Sequence, residues 1–545
     1  MKAFFALLAV MSFVLSLLLP YHRSPWPTFG SEILTIVSAS FLLLALYKTK
    51  IKIARPQLII LPIVLIPIVQ FALGQIIYFS NFILSLTYIV MFWLMIVAGY
   101  SLSLNDNKRE DLFKKLSTVM LVVGFVSGII AILQWLNLSQ YFSPLMYPLK
   151  SSRPYANMAQ PNNLATLLIM SLLACLYLFE KRVLKNIVLI PIALIILFGV
   201  VLAQSRTTIL VAPFIVLYYV IKTWKQPVRF NTIKLLTWFG LFVGLAYSLS
   251  TLSAWVAQIS GHGASTIIST ADRVAKGSGD IRLEMWKQMW VAIQQQPWFG
   301  YGWNQTGFAQ YMVFDAYQVP LWYKSAHNML LDLLVWNGIP IGSLIILYVI
   351  AWLYWLNKGV KDTVSIVATL MVCAILIHGM LEFPLHYAYF LLPAGFLLGI
   401  IQAQYRNLPS LQISSKITSI IAILCIVGCG ITVRDYLLYK QQSAIASQEH
   451  ALSSQQQQVM NQQIILLTQF KERVWWIDLD PKTKMTDEQL VHVGRMVANL
   501  ASKYDLYKYA QVLAFNGKKQ EAEHQLWILE KLHGQKNSYD GLFKD

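Results

Sequence analysis

The chain has 545 residues, of which 57% are hydrophobic and only 12% are charged, and its formal net charge is +18. Soluble globular proteins carry about twice that charged fraction, so the composition argues against an ordinary soluble enzyme of several domains. After Thr432 there are 14 basic and 13 acidic residues, which places almost all of the positive excess earlier, in short stretches between apolar blocks. That distribution is typical of cytoplasmic loops in a membrane protein and argues against a basic groove for nucleic acid.

Blocks of roughly 17 to 23 mainly apolar residues recur along the chain, which is the length needed to cross ~30 Å of hydrocarbon. We predict thirteen spans and therefore an all-α, polytopic transmembrane helix bundle. The predicted spans are about 3–20, 31–47, 58–74, 82–104, 116–138, 163–179, 187–203, 208–221, 235–255, 329–356, 363–381, 387–404 and 415–432. The first block lacks a small-x-small cleavage site before the polar stretch 21–24, so we predict a retained helix rather than a signal peptide.

Basic residues are concentrated in every second loop, where 19 of them lie. The short loops between these carry only Arg23, Lys150, Arg153 and Arg206. By the positive-inside rule the basic loops and the N-terminus face the cytoplasm, and an odd number of spans exports the tail. The predicted organisation is an N-terminal bundle (1–255), an outer loop (256–328), C-terminal membrane helices (329–432) and a soluble helical outer tail (433–545).

Two patterns in the tail predict helices. Residues 490–504 have an amphipathic helical pattern, and they follow a Gln-rich stretch at 453–463. Residues 511–522 are typical of the turn in a helical hairpin, with Gly517 as the C-cap. We therefore expect a small helical domain outside the membrane.

Three arginines on the predicted outer face are candidates for binding an anion. Arg153 lies in Ser-Ser-Arg-Pro-Tyr-Ala-Asn-Met-Ala-Gln-Pro-Asn-Asn, Arg206 in Ala-Gln-Ser-Arg-Thr-Thr, and Arg282 in Gly-Asp-Ile-Arg-Leu-Glu-Met-Trp. An arginine at membrane depth is costly and needs a partner, and its planar fork suits phosphate oxygens. The three arginines therefore predict a site for an anionic lipid headgroup; snorkelling or ordinary ion pairing is the alternative.

Two histidines on the same face are candidates for proton transfer. His327 lies in Lys-Ser-Ala-His-Asn-Met-Leu-Leu-Asp, at the entry to the tenth span. His378 opens His-Gly-Met-Leu-Glu-Phe-Pro-Leu-His-Tyr-Ala-Tyr-Phe, beside Glu382 and His386. Histidine can accept a proton near neutral pH without special tuning, although a lone histidine at a membrane edge is often structural.

The sequence favours neither a metal site nor another cofactor. The carboxylates of the outer loop are widely spaced, without an Asp-x-Asp pair, and no Gly-rich nucleotide-binding loop is apparent. The four cysteines lie inside apolar blocks, where we expect small packing residues rather than metal ligands. Trp-Trp-Ile-Asp (475–478) only faintly resembles an element of N-linked oligosaccharyltransferases, because its aspartate is displaced by one residue.

The outer motifs, taken in order, resemble the O-antigen ligase and polymerase superfamily. The resemblance rests on Arg-Pro-Tyr-Ala-Asn-Met-Ala-Gln-Pro-Asn-Asn, Ser-Arg-Thr, Arg-Leu-Glu-Met-Trp, Gln-Pro-Trp-Phe-Gly-Tyr-Gly-Trp and Ala-His-Asn, with a long outer loop before the histidine. Residues 378–393 and the exported tail resemble the PglL-type branch, the bacterial O-linked oligosaccharyltransferases.

This resemblance implies a metal-independent, inverting glycosyl transfer on the periplasmic side of the bacterial inner membrane. The implied donor is an oligosaccharide on undecaprenyl pyrophosphate, and the implied acceptor is a Ser or Thr hydroxyl of an exported protein such as a pilin. Arg206 and Arg282 would hold the pyrophosphate, with Arg153 as a third ligand. His327 would take the acceptor proton, and His378 is the other candidate.

Three other functions remain open from the sequence. An O-antigen ligase acting on lipid A core, or an O-antigen polymerase, could share the arginines and the histidine; the 378–393 segment and the tail favour protein acceptors. A non-enzymatic lipid or polysaccharide transporter would carry paired charges within its spans, and these spans are nearly free of charge.

Overall fold

The computed structural model describes residues 1–260, 280–448 and 452–543, and these parts of the chain are almost entirely helical. The helices of the first half are α1 (Lys2–Leu18), α2 (Phe29–Ala45), α3 (Arg55–Leu58), α4 (Leu61–Ala72), α5 (Phe79–Leu102), α6 (Asp106–Trp135), α7 (Pro161–Glu180), α8 (Asn186–Ala203), α9 (Arg206–Thr223) and α10 (Thr232–Ser260). Those of the second half are α11 (Asp280–Gln295), α12 (Thr306–Met312), α13 (Met329–Lys358), α14 (Thr363–Gly379), α15 (Ala388–Gln402), α16 (Ser415–Ala446), α17 (Ser454–Met460), α18 (Thr468–Asp478), α19 (Asp487–Asn499), α20 (Lys503–Phe515) and α21 (Lys519–His533). Short 3-10 helices lie at Ser139–Phe142, Pro384–His386 and Asp540–Phe543.

The apolar helices confirm the polytopic helical fold. Within the described residues, nine helical segments are long and apolar enough to cross a membrane, and four shorter apolar helices accompany them. Each of the thirteen predicted spans coincides with one of these segments, the third of them being α3 and α4 together (Arg55–Ala72). The four shorter helices are Lys2–Leu18, Phe29–Ala45, Thr363–Gly379 and Ala388–Gln402.

The described residues form two compact units, each assembled from three parts of the chain. The first unit contains residues 1–62, 88–260 and 351–427; the second contains 63–87, 280–350 and 428–543. In the first unit, α6, α7 and α8 pack against one another, and α5 and α15 meet through glycines. A Cβ at Gly399 would lie 2.1 Å from the Ile96 carbonyl oxygen, so only glycine allows these two helices to approach so closely.

The basic loops of the first unit contact one another. Strand β1 (Lys50–Ala54) pairs antiparallel with β2 (Ser410–Ser414), which joins the loops that follow the second and twelfth spans. The Arg109 guanidinium lies 2.6 Å from the Asp362 carboxylate, and Lys181 lies 2.8 Å from Glu110. This two-stranded sheet was not predicted from the sequence. Since loops in contact share a side of the membrane, these basic loops lie together, as the charge alternation predicts.

The loops poor in lysine and arginine also contact one another, within each unit. In the first unit the His22 ring is hydrogen-bonded to the Asn157 carbonyl oxygen at 2.7 Å, and Asn162 donates to Glu382 at 2.9 Å. In the second unit Gln305 donates to the Gln75 carbonyl oxygen at 2.6 Å. Within each unit, the loops that contact one another therefore belong to the same predicted set. The assignment of one set to the cytoplasm stays a prediction.

The tenth predicted span, 329–356, corresponds to two helices rather than one. Gly338 has non-helical backbone angles (φ 71°, ψ 176°) in the middle of α13, and Pro340 follows it. The twenty residues from 339 to 358 are long enough to span the membrane alone. The preceding residues, 329–337, therefore form a separate short helix that carries the outer loop toward the membrane.

The tail folds around its own apolar core in the second unit. The core contains Trp476, Val493, Leu513 and Leu529, together with Phe314 of the outer loop. Gly517 has a φ of 78° at the turn between α20 and α21, which confirms the predicted helical hairpin. The single helical pattern predicted at 490–504 was wrong in extent, because α19 ends at Asn499 and Ser502 caps a new helix by accepting a hydrogen bond from the Asp505 amide.

We predict that the tail lies outside the cytoplasm, because the basic loops alternate with the outer loops through thirteen spans. Compartment-sensitive reporters fused after Lys440 and after Val360 should report opposite sides of the membrane. Reporters fused after Asn105 serve as a control for the cytoplasmic side. The same compartment for the first two fusions would contradict this topology, and a cytoplasmic tail alone would mean that one span is miscounted.

Candidate functional site

The motif that carries Arg153 is held by a buried glutamine. Gln134 of α6 accepts hydrogen bonds from the amides of Tyr155 and Ala156, at 3.0 and 2.7 Å, and donates to the carbonyl oxygens of Tyr147 and Ala156. Ala156 is fully buried with a φ of 48°, a conformation that costs energy for any residue with a Cβ. Such strain persists only where surrounding bonds impose it, so Gln134 fixes the path of this motif.

Arg153 is tied to the end of a membrane helix. Its Nε and Nη2 atoms both donate to the carbonyl oxygen of Ala203, at 3.0 and 2.9 Å, and Nη2 also donates to Asn162 at 3.1 Å. Ala203 is the last residue of α8, where helix carbonyls lose their intrahelical partners. Asn162 in turn donates to Glu382. Arg153 thus joins the segments that contain two of the predicted motifs.

Arg206 begins α9 directly after this braced helix end. Gln204 adopts a left-handed conformation (φ 46°) and Ser205 is the N-cap, so only two residues connect α8 to α9. Thr207 and Thr208 are buried, while Arg206 is half-buried. The position of the Arg206 guanidinium therefore depends on the turn that Arg153 holds by way of Ala203.

His378 is buried within the first unit. Its side chain has no solvent exposure, and its Nδ1 is hydrogen-bonded to the Thr166 hydroxyl at 2.9 Å. The adjacent Asn163 of α7 donates to the Tyr389 hydroxyl at 3.0 Å. The 378–393 motif is therefore packed against α7 by side-chain hydrogen bonds, and His378 is a part of that packing.

His327 lies on a strained turn that a buried carboxylate organises. The residue has a φ of 53°, and its amide donates to the Ser325 hydroxyl. Asp332, only 1% exposed, accepts hydrogen bonds from Ser325, from the Ala326 amide and from Thr306, at 2.6 to 2.9 Å. Asp332 therefore fixes the backbone on which the half-buried His327 ring is carried.

Arg282 lies on a helix that is attached to the same turn. The Trp286 indole, one helical turn beyond Arg282, donates to the Ala326 carbonyl oxygen at 2.9 Å. Residues four apart lie on one face of a helix. Close by, the hydrogen bond from Lys287 lowers the pKa of Glu284, with a further contribution from the Tyr317 hydroxyl, so Glu284 stays ionised. Within the second unit, the structure thus places the Arg282 helix against the His327 turn.

The five predicted site residues therefore fall into two groups. Arg153, Arg206 and His378 belong to the first unit, and Arg282 and His327 belong to the second. Sequence reasoning missed the supporting residues, of which Asp332 and Gln134 are the clearest. Asp332 stands at the end of the quoted His327 motif, where an acidic residue in an apolar stretch was an available signal.

The Trp-Trp-Ile-Asp segment has a structural role in the tail. Trp476 of this segment is completely buried in the tail core, and its indole donates to Asp505 at 2.9 Å.

Across the described ranges, no three His, Cys, Asp or Glu side chains are grouped so that they could hold a metal ion. The metal independence of the reaction stays a prediction.

Three protein-family models match the chain. They are "O-Antigen ligase" over residues 191–346, "Virulence factor membrane-bound polymerase, C-terminal" over 366–539, and "Protein glycosylation ligase" over 154–179. The first match contains Arg206, Arg282 and His327, and the second contains His378. Arg153 immediately precedes the third.

Two curated proteins of Acinetobacter baylyi are similar to the chain. A "General O-oligosaccharyltransferase" is 39% identical over 98% of this chain and 93% of its own length. A "ComP-specific O-oligosaccharyltransferase" is 31% identical over 63% of this chain and 60% of its own length. No solved structure matches the chain.

Proposed function

Because the chain belongs to the PglL-type O-linked oligosaccharyltransferases of the O-antigen ligase superfamily, enzymes that transfer a glycan to protein, we propose how it takes its donor and activates its acceptor. The donor is an oligosaccharide carried on undecaprenyl pyrophosphate in the outer leaflet of the inner membrane. The acceptor is a Ser or Thr hydroxyl of an exported, pilin-like protein. The whole glycan moves in one step, without a metal ion, and the periplasmic face carries the reaction.

The reaction is a single displacement at the anomeric carbon. The acceptor oxygen forms a bond to that carbon while the bond from carbon to the pyrophosphate oxygen breaks, and the leaving group keeps the electron pair. The acceptor proton passes to His327. Since attack comes from the side opposite the leaving group, the anomeric configuration inverts. Undecaprenyl pyrophosphate is released with the negative charge that develops during bond breaking.

The arginines stabilise the leaving group. Arg206 and Arg282 bind the pyrophosphate oxygens, and their fixed guanidinium charges offset the charge that develops as it departs. Arg153 donates two hydrogen bonds to the Ala203 carbonyl oxygen and so holds the turn before Arg206. It therefore has a structural role in addition to being a candidate ligand of the pyrophosphate. The lipid tail keeps the donor in the membrane, so the reaction depends on positioning.

The observation that carries this proposal is the joining of the Arg282 helix to the His327 turn. Trp286 hydrogen-bonds to Ala326, and Asp332 fixes the backbone of residues 325–327. A base and an anion ligand held on one framework are what this displacement requires. His327 is half-buried, whereas His378 is fully buried, which favours His327 as the residue that meets an incoming acceptor.

A reconstituted reaction tests the donor and the acceptor together. The full chain in lipid nanodiscs is mixed with undecaprenyl-pyrophosphate oligosaccharide and a pilin-like acceptor, and intact masses are measured with and without EDTA. We expect the acceptor mass to rise by one whole glycan, at a rate that EDTA leaves unchanged. Intact masses of exported proteins from strains with and without the gene provide the cellular counterpart. Loss of transfer in EDTA, or transfer only from a nucleotide sugar, would contradict the proposal.

For the arginines, we predict that Arg206→Lys and Arg282→Lys each lose transfer while the protein still inserts in the membrane. Removing one charge-stabilising donor typically lowers kcat by about 10²-fold or more, and lysine keeps the charge but loses the bidentate fork. Arg495→Lys is the matched control, because Arg495 is exposed in the tail helix α19. Wild-type rates in both site variants at equal abundance would mean that these residues only anchor helix ends.

For the base, His327→Ala should lower single-turnover transfer by about 10²- to 10⁴-fold, the range typical of general-base assistance. His378→Ala should have a smaller effect on the rate, although it removes a buried partner of Thr166 and is expected to lower thermal stability. Rates are compared at matched protein level, with unfolding temperatures measured for each variant. An inactive His378→Ala beside an active His327→Ala would exchange the roles of the two histidines.

A further inference from the structure

One face of the helix that carries Arg282 is exposed although it is partly apolar. Leu283, Lys287 and Trp290 lie three to four residues apart along α11, and Leu283 and Trp290 are each 52% exposed. The opposite face, with Met285, Met289 and others, is buried in the core of the outer loop. An open face with leucine and tryptophan fits a helix that lies in a membrane interface, where the lysine stem packs on apolar surface and its charge reaches the headgroups.

The segment after this helix exposes two large aromatic residues. Trp298 is 68% exposed and Phe299 is 66% exposed, next to each other at the end of the helix. Soluble surfaces carry single exposed aromatic residues, but these two are adjacent and closely follow the end of α11 at Gln295. Trp in particular is enriched where a protein crosses from hydrocarbon to headgroups.

Two glycines attach this segment to the membrane helix. A Cβ at Gly300 would lie 2.5 Å from the Val335 carbonyl oxygen, and a Cβ at Gly338 would lie 2.5 Å from the carbonyl group of Trp298. The Tyr301 amide donates to Val335 at 2.8 Å, and the Ile339 amide donates to Pro297 at 2.7 Å. The backbones are therefore in direct contact, and Trp298 lies beside the break at Gly338.

The break at Gly338 is also where α13 begins to expose apolar side chains. Residues 329–338 are buried or half-buried, whereas Ile339, Leu344 and Leu347 beyond the break are 45 to 69% exposed. An apolar helix that exposes leucines along its length presents them to lipid. Gly338 therefore marks the level at which α13 enters the membrane, and Trp298 and Phe299 are attached at that level.

We propose that the surface formed by Leu283, Lys287, Trp290, Trp298 and Phe299 binds the outer leaflet of the membrane at the boundary between headgroups and acyl chains. The aromatic and leucine side chains enter the acyl region, and Lys287 reaches the phosphate layer, where it also pairs with Glu284. The partner is lipid rather than protein, because the surface continues from the point where a membrane-spanning helix starts.

This surface has a consequence for the donor site, and that consequence rests on the proposed function. Arg282 adjoins Leu283 at the start of α11. If α11 lies in the headgroup layer, the Arg282 guanidinium is held at the depth where the pyrophosphate of a lipid-linked donor is found. Contact with the membrane then fixes the depth of Arg282, although Arg282 belongs to a long loop outside the membrane.

Spin labels on the full chain in nanodiscs holding a single copy test the proposal. Single cysteines replace Trp290, Trp298 or Phe299 in a chain whose four native cysteines are changed to serine or alanine, and each is labelled with a nitroxide. Matched controls are Leu347→Cys, 64% exposed in the spanning part of α13, and Val491→Cys, 60% exposed in the tail helix α19. If the cysteine-free chain fails to accumulate, the same labels are read in the parent chain after subtraction of its own signal.

Collision with oxygen, which concentrates in lipid, and with a water-soluble nickel chelate, gives the depth of each label. We expect the labels at positions 290, 298 and 299 to collide with the chelate less often than the label at position 491. Their collision rates should be closer to those of the label at position 347. Labels as open to the chelate as 491 would overturn the proposal. Protection that appears only with two copies per disc, or only after adding acceptor protein, would overturn it in favour of a protein partner. None of these outcomes measures glycan transfer, so they are independent of the proposed reaction.

Discussion

The segments that carry the predicted site residues depend on how buried backbone polar groups are satisfied at and beyond the ends of the apolar helices. A buried backbone carbonyl or amide that has neither water nor a hydrogen-bond partner costs on the order of several kcal/mol of stability. Arg153 satisfies the last carbonyl of α8, Gln134 satisfies both polar groups of Ala156, and Asp332 satisfies the amide of Ala326. Each of these bonds fixes a segment that carries a predicted site residue. The local shape of the site thus follows from the need to pair buried polar atoms.

This requirement separates polar residues that hold the site from those that are available for chemistry. Asp332 accepts from three donors, which leaves it little capacity to act on a substrate, and its function is to orient the His327 turn. Arg153 has its Nε and Nη2 atoms committed to Ala203 and Asn162. Arg206 and Arg282 are carried on frameworks that other residues provide. The motifs of this chain therefore contain supporting residues beside the proposed ligands.

The sequence predicts the membrane helices well because hydropathy is a local property. Each span is recognised from its own residues, and the two sets of loops follow from the positions of lysine and arginine. Features that depend on distant contacts were not predictable in the same way. The pairing of β1 with β2 joins residues about 360 positions apart, and the break at Gly338 reflects the close approach of Trp298. The break between α19 and α20 depends on the Ser502 cap, which a continuous amphipathic pattern concealed.

The candidate arginines were identified from a different signal, which is the scarcity of charged residues. Where few charged residues are tolerated, each that remains on the outer face has a reason to be there. Scarcity identifies Arg153 and Arg206 equally. It does not distinguish an arginine that holds the local structure from one that is proposed to bind the pyrophosphate. Nor can it rank the histidines, since each lies near one end of a predicted span. Burial favours His327 in the proposed reaction: a base must exchange its proton with an arriving hydroxyl and then with water, and His378 has no exposed surface and a hydrogen bond to Thr166. His327, half-buried on a strained turn at the end of a long loop, retains the access that proton transfer to and from solvent requires.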